Sequence, residues 1–207
     1  MTMTQIGQLT LVMPIGAPAS GKTTFRQFIC QQRPPESFPD DISSSCKEQV
    51  ELMKLKFGKY DKIISTCRDE LYSEIVERSV AEGKKKSQKA IRRELFDKFV
   101  DFQKEVLEWR TNNPGSNIWV YLDSSNAQQG GRDYIISEFN PDQVIMLNFR
   151  RDPEQLYQRA MKREGHPTFP SESQEQRAII DKIYPIIEFA EANQDENKNY
   201  CLRIMEF

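Results

Sequence analysis

Histidine is almost missing from this sequence: His166 is the only one in 207 residues. The four cysteines (Cys30, Cys46, Cys67 and Cys201) are widely spaced and form no CxxC pair. These two shortages argue against a zinc site and a disulfide framework, and make free thiols in a reducing compartment the default. No apolar run approaches the roughly 20 residues of a membrane span, and the opening stretch MTMTQIGQ lacks the basic residues that begin a secretory leader. Neither sign of charge dominates. Lys plus Arg number 29 and Asp plus Glu 31, so any affinity for nucleic acid has to be local. No repeat and no low-complexity tract is visible. What remains is 38% hydrophobic and 29% charged, which reads as one globular α/β domain over residues 1–207, cytoplasmic and without a membrane partner.

Against these absences stands one strong motif. Residues 16–24 read GAPASGKTT and follow an apolar run, Leu9 to Ile15. Gly16 to Thr23 fits G-x-x-x-x-G-K-[ST], the phosphate-binding loop. Gly16 and Gly21 let the loop, with Ala17, Pro18, Ala19, Ser20 and Thr24 as its other binding residues, wrap closely enough for its backbone N–H groups to point at a phosphate. Lys22 reaches the β- and γ-phosphates, and the Thr23 hydroxyl can ligate Mg²⁺. A helix starting near Lys22 adds its positive N-terminal dipole. The expected ligand is a nucleoside triphosphate with Mg²⁺; ATP is the first choice and GTP is not excluded.

The rest of the chain alternates strand-like and helix-like segments. Strands are expected at Thr10 to Ile15, Tyr60 to Thr66, Ile118 to Leu122, Val144 to Phe149 and Tyr200 to Phe207. Helices are expected over 22–32, 69–81, 87–110, 127–139, 153–164 and 174–192, the last kinked at Pro185. Glu36 to Ser45, with Pro39 and the run Ser43 to Ser45, reads as a surface loop, and Val50 to Phe57 as a short helix. The economical architecture is a mostly parallel five-stranded sheet with helices on both faces, the phosphate-loop NTPase or kinase fold.

Several charged residues sit where such a sheet places ligands. Arg68, Asp69 and Glu70 follow the second strand, and Asp123 ends the third, where a carboxylate can hold Mg²⁺ opposite the loop threonine. Arg159, Lys162 and Arg163 fall at i, i+3 and i+4 of one helix, followed by GHPTFPSE, whose Gly and Pro hinges suit a lid over 153–173. Arginines there can close on a triphosphate; an exposed basic helix is the alternative. The basic run Lys84 to Arg93 is either a solvated helix start or a contact for an acidic acceptor. No N-K-x-D guanine-reading motif is present: the one Asn-Lys pair, Asn197-Lys198, is followed by Asn199 and Tyr200. A compact phosphotransferase fits better than a nucleotide switch.

In order, GAPASGKTT, STCRDELY, YLDSSN and RAMKR resemble the phage-type polynucleotide 5′-hydroxyl kinases. The resemblance implies Asp69 as general base for an attacking 5′-hydroxyl and Lys22 and Arg163 as catalytic. It places Arg159 and Arg163 on the donor phosphates, with Thr23 and Asp123 at the metal. The implied partner is the 5′-end of DNA or RNA. Two departures touch the acceptor. Tyr72 stands where that family has an arginine for the acceptor phosphate, and residues 31–60 form an insert where the family has a short link. Arg68, Arg132 or the basic run could supply the missing charge. A small hydroxyl acceptor (nucleoside, nucleotide or sugar nucleotide) and a non-catalytic nucleotide-binding module are the alternatives.

Overall fold

The computed structural model describes residues 7–162, 173–191 and 199–207. Five strands form one sheet: β1 (Leu9–Ile15), β2 (Lys62–Cys67), β3 (Ile118–Asp123), β4 (Gln143–Asn148) and β5 (Cys201–Glu206). All strand pairings are parallel and the order is β2-β3-β1-β4-β5. Every residue of β1, β3 and β4 is buried, as a parallel sheet covered on both faces requires.

Strand alternation divides the core. Leu9, Leu11, Met13 and Ile15 join Val120, Val144 and Met146 on one face. That face is covered by Val106 of α4 (Gln88–Asn112) and by Ile136 and Phe139 of α5 (Gln129–Phe139). On the other face Val12, Trp119, Tyr121, Ile145 and Leu147 meet α1 (Lys22–Ile29) and α2 (Asp40–Phe57). A third, smaller cluster holds Ala17 and Ala19 of the loop against Leu156 and Ala160 of α6 (Pro153–Met161) and Ile180 of α7 (Ser173–Ile183). α3 (Arg68–Ala81) packs beside α4. No helix among the described residues is long and apolar enough to cross a membrane.

Two expectations fail, each for a local reason. Glu36 to Ser45 is not all loop, because an 18-residue helix begins at Asp40. Pro39 precedes it, Asp40 and Asp41 sit in the first turn and Lys54 and Lys56 in the last, in line with the helix dipole. Cys46, Val50 and Met53 are its buried stripe, and that burial overrides the weak helix propensity of Ser43, Ser44 and Ser45. The other failure is at Pro185, which ends the helix instead of kinking it. α7 stops at Ile183 and a single 3₁₀ turn, Tyr184–Ile186, follows. Beyond it the backbone bonds elsewhere: Glu188 N donates to Ala127 O (2.8 Å) and Ala190 N to Asn148 Oδ1 (3.1 Å). A proline cannot donate to the preceding turn, and these tertiary partners replace the lost ladder.

Candidate active site

The loop leaves β1 at its carboxyl end, between β3 and β4, where the chain's connections diverge to opposite sides of the sheet. A Cβ at position 16 would lie 2.8 Å from Ser20 Oγ and 3.0 Å from the Phe149 carbonyl oxygen, so only glycine fits there. Gly21 has φ +110, a conformation that favours glycine. α1 then starts at Lys22 with no side-chain cap, which leaves the N–H groups of its first turn directed at the loop mouth. Lys22 Nζ donates to Gly16 O (2.8 Å) and Ala17 O (2.7 Å), spanning the loop from beneath.

Asp123 is buried, and burial raises its carboxyl above the usual range; the charges of Arg26 and Lys22 and the side chains of Thr23 and Cys67 pull it back. Its Oδ2 accepts no hydrogen bond, although Arg26 Nε lies 3.3 Å away. A carboxylate oxygen that faces the Arg26 charge without a hydrogen bond, together with the nearby Thr23 side chain, is a donor set that suits a hard cation such as Mg²⁺. No cluster of three or more His, Cys, Asp or Glu side chains able to hold a metal occurs among the described residues.

Arg26 is the residue that sequence reasoning missed. Only 2% exposed, it lies one turn beyond Lys22 on α1 and forks onto Glu70, with Nη1 2.8 Å from Oε2 and Nη2 in contact with Oε1. Its Nε faces Asp123. Burial alone would lower its pKa, but the Glu70 hydrogen bond and the surrounding negative charge raise it instead, so it stays charged. Arg26 thereby ties the start of α3 to the end of β3. The signal was its position four residues after Lys22, on the helix face turned to the strand ends.

Asp69 is exposed, in the first turn of α3. Cys67 holds the N-cap position without a side-chain cap bond, so Asp69 does not cap that helix. A cavity of about 290 Å³ brings together Ser20, Lys22, Thr23, Arg68, Asp69 and Asp123, with Pro18, Ala19 and Gly21 on the loop side. Ile179 and Ile183 of α7 form part of its wall. Through Arg68, Asp123 and Ser124 it adjoins a second cavity of about 430 Å³, whose walls include Leu71, Arg92, Phe96 and Phe99. Arg159 stands apart from the first cavity, near Gly21 on its Thr24 side.

Other expected residues fall elsewhere. Arg132 is buried and turned inward, donating to Asn126 O (2.7 Å) and Ala127 O (3.1 Å). It props the loop after β3 and lines neither cavity, which corrects its assignment to an acceptor. Asn126, from the YLDSSN stretch, is a staple: its Nδ2 donates to Pro14 O (2.8 Å) and Leu122 O (3.0 Å), joining β1 to β3. Lys162 ends α6 as its C-cap. Arg163, His166 and the hinged stretch to Glu172 lie outside the described residues. In the basic run, Lys84 pairs with Glu82 and Lys86 with Glu94, whereas Arg92 faces the larger cavity.

No protein-family model matches the sequence, and no curated protein is significantly similar to it. Among solved structures, a candidate kinase from Chloroflexus aurantiacus superposes with a TM-score of 0.51 at 11% identity, over 99% of this chain and 89% of that one. The fold is that of the phosphate-loop kinases. At such identity the likeness is one of fold alone. Looser superpositions add no argument: a gluconokinase from Sinorhizobium meliloti (TM-score 0.42, 14% identity, 98% of this chain and 83% of that one) and the Pnkp1/Rnl/Hen1 RNA repair complex (0.47, 12%, 94% and 54%).

Proposed function

We propose that this phosphate-loop kinase fold transfers the γ-phosphoryl group of ATP, with Mg²⁺, to a hydroxyl acceptor, foremost the 5′-OH end of a polynucleotide. One observation carries the reading: the loop residues Ser20, Lys22 and Thr23, the buried Asp123 and the exposed Asp69 line a single cavity. In it Asp69 accepts the proton of the attacking hydroxyl. Lys22 leaves the loop carbonyls and meets the charge that develops on the transferring group, aided by the first-turn N–H groups of α1. Thr23 and Asp123 would hold the Mg²⁺, which when bound neutralises β- and γ-phosphate charge. Arg159 holds donor phosphates from the Gly21 side, with Arg163 as a second lid contact. Arg68, at the junction of the two cavities, supplies positive charge for an anionic acceptor.

A small hydroxyl compound is the second reading, and the 430 Å³ cavity favours it, being mostly apolar and of the size that takes small molecules. Incubation with labelled ATP, Mg²⁺ and a panel of acceptors tests both readings. Label on 5′-OH oligonucleotides supports the first, and label confined to small acceptors the second. No transfer to any hydroxyl acceptor would sink the phosphotransferase reading.

A further inference from the structure

Besides packing on the sheet, the helix α2 turns polar residues toward a cavity. Cys46, Val50 and Met53 fix it to the sheet, but Asp41, Ser45 and Gln49 line a third cavity of about 210 Å³. Across it stand Gly21 and Thr24 at the start of α1, and Arg151 and Arg159. Neither arginine has an ion-pair partner among the described residues, and Arg151 Nε is buried without a hydrogen bond. Burial and then the like charge of Arg151 lower the pKa of Arg159. Two cations held together beside an uncapped helix N-terminus are arranged for an anion. Phe149 and Phe207, stacked at 4.6 Å between ring centroids, supply an apolar wall.

We propose that α2 forms the nucleobase wall of the donor site, so that Arg151 and Arg159 hold donor phosphates while Asp41, Ser45 and Gln49 read the purine. The proposal rests on the phosphotransferase reading above. The cavity is too small for a whole nucleotide and suits its base. The Gln49 amide offers a donor and an acceptor, the pair that adenine's amino edge requires. Asp41 can accept from an exocyclic amine, and the Ser45 hydroxyl can serve either way.

Equilibrium binding of ATP and of inorganic tripolyphosphate to the full chain, both with Mg²⁺, separates base from phosphate recognition. The wild type should bind ATP at least about tenfold more tightly than tripolyphosphate, the equivalent of one or two hydrogen bonds. Combined Asp41→Ala and Gln49→Ala should bring ATP to the tripolyphosphate level and leave tripolyphosphate within about twofold. Ser45→Leu, which fills the cavity, should do the same, and a thermal melt of each variant shows that it is folded. Equal wild-type affinity for both probes overturns the proposal. So does unchanged ATP affinity in the variants, or a parallel loss of both probes, which would make α2 a support for the loop. If the wild type binds neither probe, the phosphotransferase reading fails together with the inference. If both bind and only the α2 variants are silent, the inference alone fails.

Discussion

Replacing Arg26 with methionine tests whether this buried cation fastens the site together. Methionine keeps most of the buried alkyl length but removes the guanidinium that touches Glu70 and faces Asp123. The two partners differ in weight. Glu70 is 57% exposed, so its half of the interaction is screened and worth about 1 kcal/mol or less. Asp123 is 4% exposed, and removing one partner of a buried pair costs about 3–5 kcal/mol. Lys22 and Thr23 also lower the Asp123 pKa, which favours the lower end, so about 3–4 kcal/mol is expected overall. For a chain of this length that is a fall in Tm of roughly 6–16 °C near neutral pH, read by calorimetry. The sign of the pH dependence follows. Without Arg26 the Asp123 pKa rises further above its unfolded value, so the variant is hurt most where Asp123 is ionised. The difference from wild type therefore shrinks as pH falls through the Asp123 range. Adding Asp123→Asn to Arg26→Met should recover more than half of the loss, because the stranded charge is gone. A Tm shift below about 2 °C, or strict additivity in the double variant, would refute this reasoning.

Lys22→Ala should lower turnover by about 10²–10³-fold, since it removes charge from the transition state, and should also loosen the carbonyl contacts at Gly16 and Ala17; steady-state kinetics and nucleotide binding read the two effects. Asp69→Asn should keep ATP affinity within a few fold while phosphoryl transfer is lost. Collapse of ATP binding would instead assign Asp69 to the donor site. Among the cysteines, exposed Cys201 should be alkylated first and Cys67 last, as followed by mass spectrometry near pH 8. Burial, then the Asp123 charge, pushes the Cys67 thiol up to about 11, so it stays protonated and unreactive. The stability that comes with it is full below the ordinary thiol range and is lost as pH climbs through 11. Labelling of Cys67 at the rate of Cys201 would contradict its burial.

How much of this was legible in the sequence depended on whether a residue's task is local. The loop was readable because Gly16 and Gly21 answer to backbone geometry within eight residues; β1, β3 and β4 were readable from apolar runs, β2 from Ile63 and Ile64, and β5 from a partial alternation. The stripe of α2 (Cys46, Val50, Met53) was present in the sequence, but three consecutive serines masked it. Arg26 was not readable because its meaning lies in Glu70 and Asp123, respectively 44 and 97 positions away. Arg132 misled for the converse reason. An arginine beside a site looks functional in sequence, and only its turn toward Asn126 O and Ala127 O shows it to be a prop.

Parallel pairing makes the site a property of the sheet and not of any one loop. Since all five strands point one way, the segments that follow β1, β2, β3 and β4 emerge at the same edge. Register then sets their level: Cys67 pairs with Asp123, which puts the start of α3 beside the end of β3, and Ile15 pairs with Asn148, which puts the loop beside Phe149. Strand order thereby becomes an axis across the edge. On the proposed reading, the acceptor lies toward β2 and β3, the phosphates at β1, and the donor base toward β4 and β5. Residues that would choose the acceptor, such as Arg92 and Phe96, lie on α4, and line a different cavity from α2, Arg151 and Arg159. The two ends of the reaction can therefore vary independently, and a conventional donor loop is compatible with an acceptor side that departs from the polynucleotide kinases at Tyr72.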